Sequence, residues 1–288
     1  MEKKDSKLIV GTMRWGTWGE NYKPSALAQL LENLVQNNLY EYDLADIYGH
    51  YTSEKLFGDG LKQSNIERSK LFLISKCNIQ LPCENRPYKV VSYNTSKNYI
   101  LQSVQQSLKN LQTDYLDLLL IHRTDPLMNH YEIAETFDLL SKKGIVKHFG
   151  VSNFDVFDFE FLHSLFPLYT NQIQHSLTYT DSLFNHQLQL GLKHQIPIQI
   201  WSPLGTYFDK KFKNIPLVNV VQKLAEKYSC SESQVLCAWA LKHSSTIDLV
   251  VGSSKLERIL EAQKSLSLTL EIEDWYELLR TSRGFDVP

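Results

Sequence analysis

Apolar positions along the chain alternate between two rhythms. Leu8-Ile9-Val10, Leu71-Phe72-Leu73-Ile74, Leu116 to Ile121 and Leu249-Val250-Val251 are short continuous apolar runs, the third broken only by Asp117. Such runs read as strands buried on both faces, which a parallel sheet requires. Between them the spacing turns helical. After Pro24-Ser25 the apolar positions are Leu27, Leu30, Leu31 and Leu34, and Asn37-Asn38 closes the segment. Ser96 opens a second helix with Ile100, Val104, Leu108 and Leu111 on one stripe. Further helices are predicted through Glu54, Leu56, Phe57 and Leu61, from about 132 to 143 before a capping Gly144, and near 218–228, 232–243, 257–264 and 274–280. Strands at Tyr42-Asp43, Val146 to Val151, Asn171 to Gln174 and Ile198 to Trp201 complete the series. About eight strands thus alternate with helices, and no linker or repeat interrupts them. The pattern predicts an α/β fold: one (β/α)8 TIM barrel domain over residues 1–288, with its active site at the C-terminal ends of the strands. An open doubly wound sheet fits less well, because no G-x-G-x-x-G follows the first strand. Residues 77–95 carry two prolines and no period, and they are long for a strand-to-helix connection. They read either as a mobile surface loop or as a wall of a substrate pocket.

Composition narrows the function. A length of 288 residues suits one barrel, and 43% hydrophobic residues can fill its core. A formal net charge of −2 gives no reason to expect nucleic acid or an anionic membrane as partner. The four cysteines (Cys77, Cys83, Cys230, Cys237) show neither a C-x-x-C pair nor metal-ligand spacing, so they read as reduced thiols. The charged opening Met1-Glu2-Lys3-Lys4-Asp5-Ser6 has no apolar leader, and no run has the length of a membrane span. The expectation is a soluble, cytoplasmic protein.

The candidate chemistry centres on Tyr42-Asp43-Leu44-Ala45-Asp46-Ile47-Tyr48-Gly49, a buried strand end running into a loop. A carboxylate at a buried strand end asks for a cationic partner, since an unpaired buried charge is costly. Lys76 stands where one apolar run stops and His122 where a stronger one stops. Asp43, Tyr48, Lys76 and His122 therefore fall at or just past the ends of three strands. Each also has a structural reading: a tyrosine capping the core, an ion pair, a histidine under a loop.

Taken together, these segments resemble the aldo-keto reductase family over nearly the whole chain. The carriers are D-x-A-x-x-Y-G at Asp43–Gly49, Lys76 after the third strand and His122 after the fourth. Gly150-Val151-Ser152-Asn153-Phe154, Asn171-Gln172, Trp201-Ser202-Pro203-Leu204 and Gly252-Ser253-Ser254 with Arg258 follow in the family's order. The closing Gly284-Phe285-Asp286-Val287-Pro288 resembles a bacterial branch described mostly as predicted oxidoreductases.

The resemblance implies reduction of a small-molecule carbonyl by hydride transfer from NADPH, without a metal. Tyr48 would be the general acid, Lys76 would lower its pKa, Asp43 would fix Lys76, and His122 would orient the carbonyl. Thr12 joins the implied cofactor set. Ser152, Asn153 and Gln172 would bond the nicotinamide carboxamide, and Trp201 would stack on its ring. Ser202 and Leu204 would contact the pyrophosphate. Gly252, Ser253, Ser254 and Arg258 would meet the 2′-phosphate region. The family often has lysine at Gly252 and asparagine at Ala262, so the resemblance implies only a reduced preference for NADPH. Trp15, Trp18, Tyr22 and residues 77–95 would wall the substrate pocket. A second reading is a cofactor-binding redox sensor like the potassium-channel β subunits of the family. A metal-dependent isomerase is disfavoured, because no His/Asp/Glu cluster has ligand spacing. The oligomeric state is open, with a monomer slightly favoured.

Overall fold

A computed structural model describes residues 7–287. The charged opening segment and Pro288 lie outside them. Eight parallel strands form a closed barrel, surrounded by helices. The chain divides into two compact units, one of Ile9–Gln172 with Gly252–Leu256 and one of Ile173–Val251 with residues 7–8 and 257–287.

The elements run, in chain order, β1 (Leu8–Gly11), α1 (Pro24–Gln36), β2 (Glu41–Asp43), α2 (Tyr48–Tyr51), α3 (Ser53–Gln63), β3 (Phe72–Cys77), β4 (Ile79–Gln80), β5 (Ser92–Tyr93), α4 (Lys97–Leu111), β6 (Leu116–Ile121), α5 (His130–Lys142), β7 (Val146–Ser152), α6 (Val156–Leu165) and β8 (Asn171–Gln174). There follow α7 (Gln189–His194), β9 (Ile198–Trp201), α8 (Ile215–Lys227), α9 (Glu232–Leu241), β10 (Ile247–Val251), α10 (Leu256–Lys264) and α11 (Ile272–Arg283). The barrel order is β1-β10-β9-β8-β7-β6-β3-β2, and β4 pairs with β5 alone.

In the first unit the apolar spacing does what it predicts. α1 buries Leu27, Leu30, Leu31 and Leu34, and α4 buries Ile100, Val104 and Leu111, with Leu108 of the predicted stripe only half-buried. The Ser96 hydroxyl caps α4 by accepting from the Tyr99 N–H. Every residue of β6 is buried. Asp117, the one polar residue in that run, accepts from Arg68 Nη2 at 2.7 Å, the Leu73 N–H at 3.0 Å and Lys147 Nζ at 3.0 Å. The register aligns Asp43 with Ile74, Lys76 with Leu120, Ile121 with Val151, and Ser152 with Gln172. That ladder brings Asp43, Lys76, His122, Ser152 and Gln172 to the C-terminal ends of neighbouring strands, with Asp117 near the opposite end of β6.

Residues 77–95 carry more regular structure than their lack of period predicts. They contain a two-stranded antiparallel hairpin in which Ile79 faces Tyr93 and Gln80 faces Ser92. The Tyr51 hydroxyl accepts from the Leu81 N–H at 2.8 Å and donates to Ile79 O at 3.3 Å, and Tyr99 also donates to Ile79 O. Strands of two residues carry no readable period, so the tie is supplied by tyrosines elsewhere in the chain.

The second unit is closed by aromatic packing. Trp239 and Trp275 stack at 5.3 Å between centroids, and each indole N–H donates to the other's carbonyl. Ser231 and Gln234 form a capping box at the start of α9, whose ten residues include seven buried ones. Among the described residues no helix is long and apolar enough to cross a membrane, and no group of three potential ligands could hold a metal ion.

Candidate active site

Three N–H bonds of one ammonium organise the site. Lys76 Nζ donates to Asp43 Oδ2 at 2.7 Å, to Leu44 O at 2.9 Å and to the Tyr48 hydroxyl oxygen at 3.2 Å. It also lies 2.6 Å from Asp43 Oδ1, and its side chain is 1% exposed. A lysine this deep holds its charge only when its donors are used. Burial acts against that charge, but Asp43 and Tyr48 outweigh it and hold the amine above its ordinary pKa. The strand pairing makes this meeting local: β2 lies beside β3, so the ends carrying Asp43 and Lys76 are adjacent.

Tyr48 follows in a turn. Gly49, His50 and Tyr51 all have positive φ, at 57°, 54° and 66°. Gly49 adopts this readily, whereas two consecutive non-glycine residues there store strain, which functional sites often hold. Trp18 packs beside the Tyr48 ring at 6.1 Å and donates its indole N–H to His50 Nε2 at 3.2 Å. The His122 ring meets Tyr48 nearly perpendicular at 6.0 Å. Burial, assisted by Lys76 and Arg123, lowers the His122 pKa well below 6.5, so the imidazole is neutral at neutral pH. Its Nδ1 is buried with no hydrogen-bond partner among the described residues. Burial raises the Tyr48 pKa while Lys76 pulls it down, and burial wins. The expected net lowering by Lys76 is therefore corrected: its pull is present but smaller than the desolvation of the phenolate.

Sequence reasoning missed Asn78. Fully buried, with φ at 98°, it accepts from the His122 and Arg123 N–H groups at 3.0 and 3.1 Å and donates to Arg123 O at 2.9 Å. Its position just beyond an apolar strand end, and asparagine's tolerance of positive φ, were the available signals. Asn78→Ala is expected to cut kcat roughly tenfold to a hundredfold by letting His122 drift, with the cofactor dissociation constant unchanged. Steady-state kinetics with a cofactor titration checks this; weakened cofactor binding at unchanged kcat would contradict it.

The other predicted residues of this unit are placed as follows. Thr12 donates its hydroxyl to Asp43 O at 2.9 Å, and its N–H also reaches that carbonyl. Gln172 Nε2 donates to Asp43 Oδ1 at 2.8 Å. Gln172 steadies the carboxylate that holds Lys76, and Thr12 the backbone that carries it, placements that their expected role as cofactor contacts did not include. The Ser152 hydroxyl donates to Gln172 O at 2.8 Å, and Asn153 Nδ2 donates to Ser152 Oγ at 2.7 Å. Trp15 is 2% exposed, stacks with Phe57 and donates its indole N–H to Ser253 O at 2.9 Å. The Tyr22 hydroxyl donates to Ser254 O. Trp15 is thus core, and Tyr22 with it anchors residues 252–256, whereas Trp18 stands beside Tyr48 as a wall would. Gly252 is exposed, and a Cβ built there would meet nothing within 4 Å.

In the second unit Trp201 is half-buried at the end of β9. Ser202 has φ at 53°, and its carbonyl accepts from the Gly205 N–H at 2.8 Å; the Leu204 carbonyl accepts from Tyr207. Gly205 has to be glycine, because a Cβ would lie 1.9 Å from Thr178 Oγ1. Arg258 is exposed in the first turn of α10 and makes no ion pair among the described residues.

A family model described as the Aldo/keto reductase family matches residues 7–281. The Bacillus subtilis (strain 168) protein called uncharacterized oxidoreductase YcsN is 40% identical over 292 residues, covering 98% of this chain and 96% of that protein. The Agrobacterium fabrum 6-dehydroglucose reductase is 34% identical over 287 residues, again covering 98% and 96%. A crystal structure of an aldo/keto reductase from Klebsiella pneumoniae, in complex with NADP and acetate, superposes with a TM-score of 0.80. Its identity is 21%, and it covers 100% of this chain and 97% of that one.

Proposed function

The chain belongs to the aldo/keto reductase family of oxidoreductases, and we propose that it reduces an aldehyde or ketone to an alcohol with NADPH, acting as one domain in a reducing, cytoplasmic setting. The observation that carries this reading is the Lys76–Tyr48 contact. Because Lys76 donates into the phenol oxygen, the Tyr48 O–H proton is left to point at a substrate. Asp43 keeps the ammonium in place, and Thr12 and Gln172 keep Asp43 in place.

As a carbonyl accepts electrons its oxygen gains negative charge. Tyr48 delivers a proton to that oxygen, while neutral His122 orients it and donates a hydrogen bond to the growing charge. Lys76 then stabilises the phenolate left behind. The bound cofactor supplies the hydride. Residues suited to hold it are Ser152 and Asn153, Trp201, Ser202 and Leu204, with Ser253, Ser254 and Arg258 for the adenosine phosphate. Their donor chemistry fits an anionic dinucleotide: Arg258 has no acidic partner among the described residues, and open space surrounds a Cβ built at Gly252. All four cysteines are free, consistent with a reducing compartment.

Cofactor choice gives a paired prediction. Arg258→Ala is expected to raise the NADPH dissociation constant roughly 10- to 100-fold and to spare NADH, from the usual worth of a charge-assisted bond. Gly252→Lys is expected to tighten NADPH about tenfold, since the backbone leaves room for the side chain. Titrations with both cofactors check this; equal effects on NADPH and NADH would place these positions elsewhere than at the 2′-phosphate. The reading as a whole is tested by assaying aldehydes, ketones and quinones for loss of NADPH absorbance. Turnover of at least one carbonyl is expected, and tight cofactor retention with no turnover would overturn the reading.

A further inference from the structure

A cavity of about 300 Å³ lies apart from the Tyr48 group, lined by the loop at Asp46, by Tyr51 and Glu54, by Arg86 and Tyr88 of the β4–β5 connection, and by α4 from Tyr99 onward. None of Asp43, Tyr48, Lys76 or His122 lines it. It holds an acidic and a basic side chain, neither of them tied up in an ion pair among the described residues. Asp46 is half-buried at the cavity wall, and its Oδ1 is a buried atom with no hydrogen-bond partner among the described residues. Arg86 sits with its guanidinium over the Tyr51 ring at 4.2 Å, and its Nη1 reaches only the Asn85 carbonyl, at 3.5 Å. Glu54, by contrast, is spoken for: it accepts from the Ser75 hydroxyl at 2.7 Å and from Asn110 Nδ2 at 3.2 Å.

We propose that this cavity binds a small zwitterion, with an ammonium group at Asp46 and a carboxylate at Arg86. The chemistry suits each end. A guanidinium stacked on an aromatic face keeps its edge N–H groups available, and that edge matches a carboxylate in two parallel bonds. An acid oxygen buried without a partner is costly in either charge state, and an ammonium donor supplies the missing bond. Tyr88 and Tyr99 also line the cavity, and aromatic rings favour a neighbouring cation. A ligand with one charge alone would satisfy one end and leave the other unmatched. The volume admits a molecule of amino-acid size, at the small end of ligand pockets. Burial and the neighbouring Glu54 charge push the Asp46 pKa well up, so the empty site favours the neutral acid, and an arriving ammonium favours the carboxylate.

The test is calorimetric titration of the full chain with glycine, β-alanine and γ-aminobutyrate, whose charges are set progressively further apart. Propylamine and propionate serve as singly charged probes. At least one zwitterion is expected to bind saturably and about tenfold or more tighter than either single-charge probe, the usual worth of one lost charged contact. Asp46→Asn and Arg86→Met are each expected to weaken it about tenfold or more. Asp46→Asn keeps the side chain's shape, and Arg86 is only half-buried, so both variants are chosen to fold; unchanged circular dichroism verifies this. The proposal is overturned by no saturable binding of any zwitterion, by propylamine or propionate binding as tightly, or by binding that survives both substitutions in folded protein. Binding is read without turnover, so failure here and failure of the carbonyl-reductase reading are separate results.

Discussion

Tyr48→Phe is expected to lower kcat for carbonyl reduction by about 10²–10⁴, the usual contribution of a positioned acid, with cofactor affinity nearly unchanged. The substitution keeps the ring that packs against Trp18 and His122, so the site's shape survives. What it removes is the proton and the acceptor for the third Lys76 N–H. The pH dependence follows from the same balance. Because burial raises the Tyr48 pKa against the pull of Lys76, the phenol stays protonated through neutral pH. Reduction needs the protonated form, so its rate should be flat there and fall only in alkali, above an ordinary phenol pKa of about 10. Alcohol oxidation needs the phenolate and should rise with pH instead. His122 is held neutral well below its ordinary 6.5, so it should contribute no inflection around that value. Steady-state rates in both directions across pH check this. Wild-type turnover in Tyr48→Phe would remove Tyr48 from the mechanism.

Asp117→Ala is expected to lower the free energy of unfolding by about 3 kcal/mol, the scale for stripping one partner from a buried ion pair. Asp117 is 4% exposed near the start of β6 and accepts three hydrogen bonds. Removing it leaves the Leu73 N–H unsatisfied and Arg68 without its carboxylate. Arg68 is otherwise committed to Thr113, Leu71 O and Tyr115 O, so it cannot easily turn to water. Lys147 is half-exposed and contributes little to the loss. Kinetic constants should stay near wild type at temperatures where the protein is folded, since this end of the strand lies away from Lys76 and His122. Denaturant unfolding checks the value; a loss below roughly 0.5 kcal/mol, the range of neutral surface changes, would contradict it.

The barrel was readable because strands buried on both faces write continuous apolar runs, and the helices between them keep a clear stripe. Asp43, Lys76 and His122 were readable for a related reason: each is a polar residue at the end of such a run. Other features depend on contacts between distant segments and leave no local pattern. The β4–β5 pair is held by the hydroxyls of Tyr51 and Tyr99. Trp15 and Tyr22 look like pocket aromatics in a Gly-rich loop, yet their polar atoms are turned onto Ser253 and Ser254, far along the chain. Gln172 and Thr12 serve Asp43 through bonds that only the register of neighbouring strands reveals. The charge state of Tyr48 was not readable either: the sequence names Lys76 as its partner but cannot weigh that partner against the burial of both.

The proposed reaction is direct hydride transfer to a carbonyl carbon with Tyr48 supplying the proton. It is tested most directly by mixing the enzyme with NADPH deuterated at the transferable position of the nicotinamide, together with a carbonyl that supports turnover, and analysing the product by mass spectrometry. One deuterium is expected on the alcohol carbon, with product formation suppressed in Tyr48→Phe. An alcohol without deuterium, or equal labelled product from Tyr48→Phe, would contradict it.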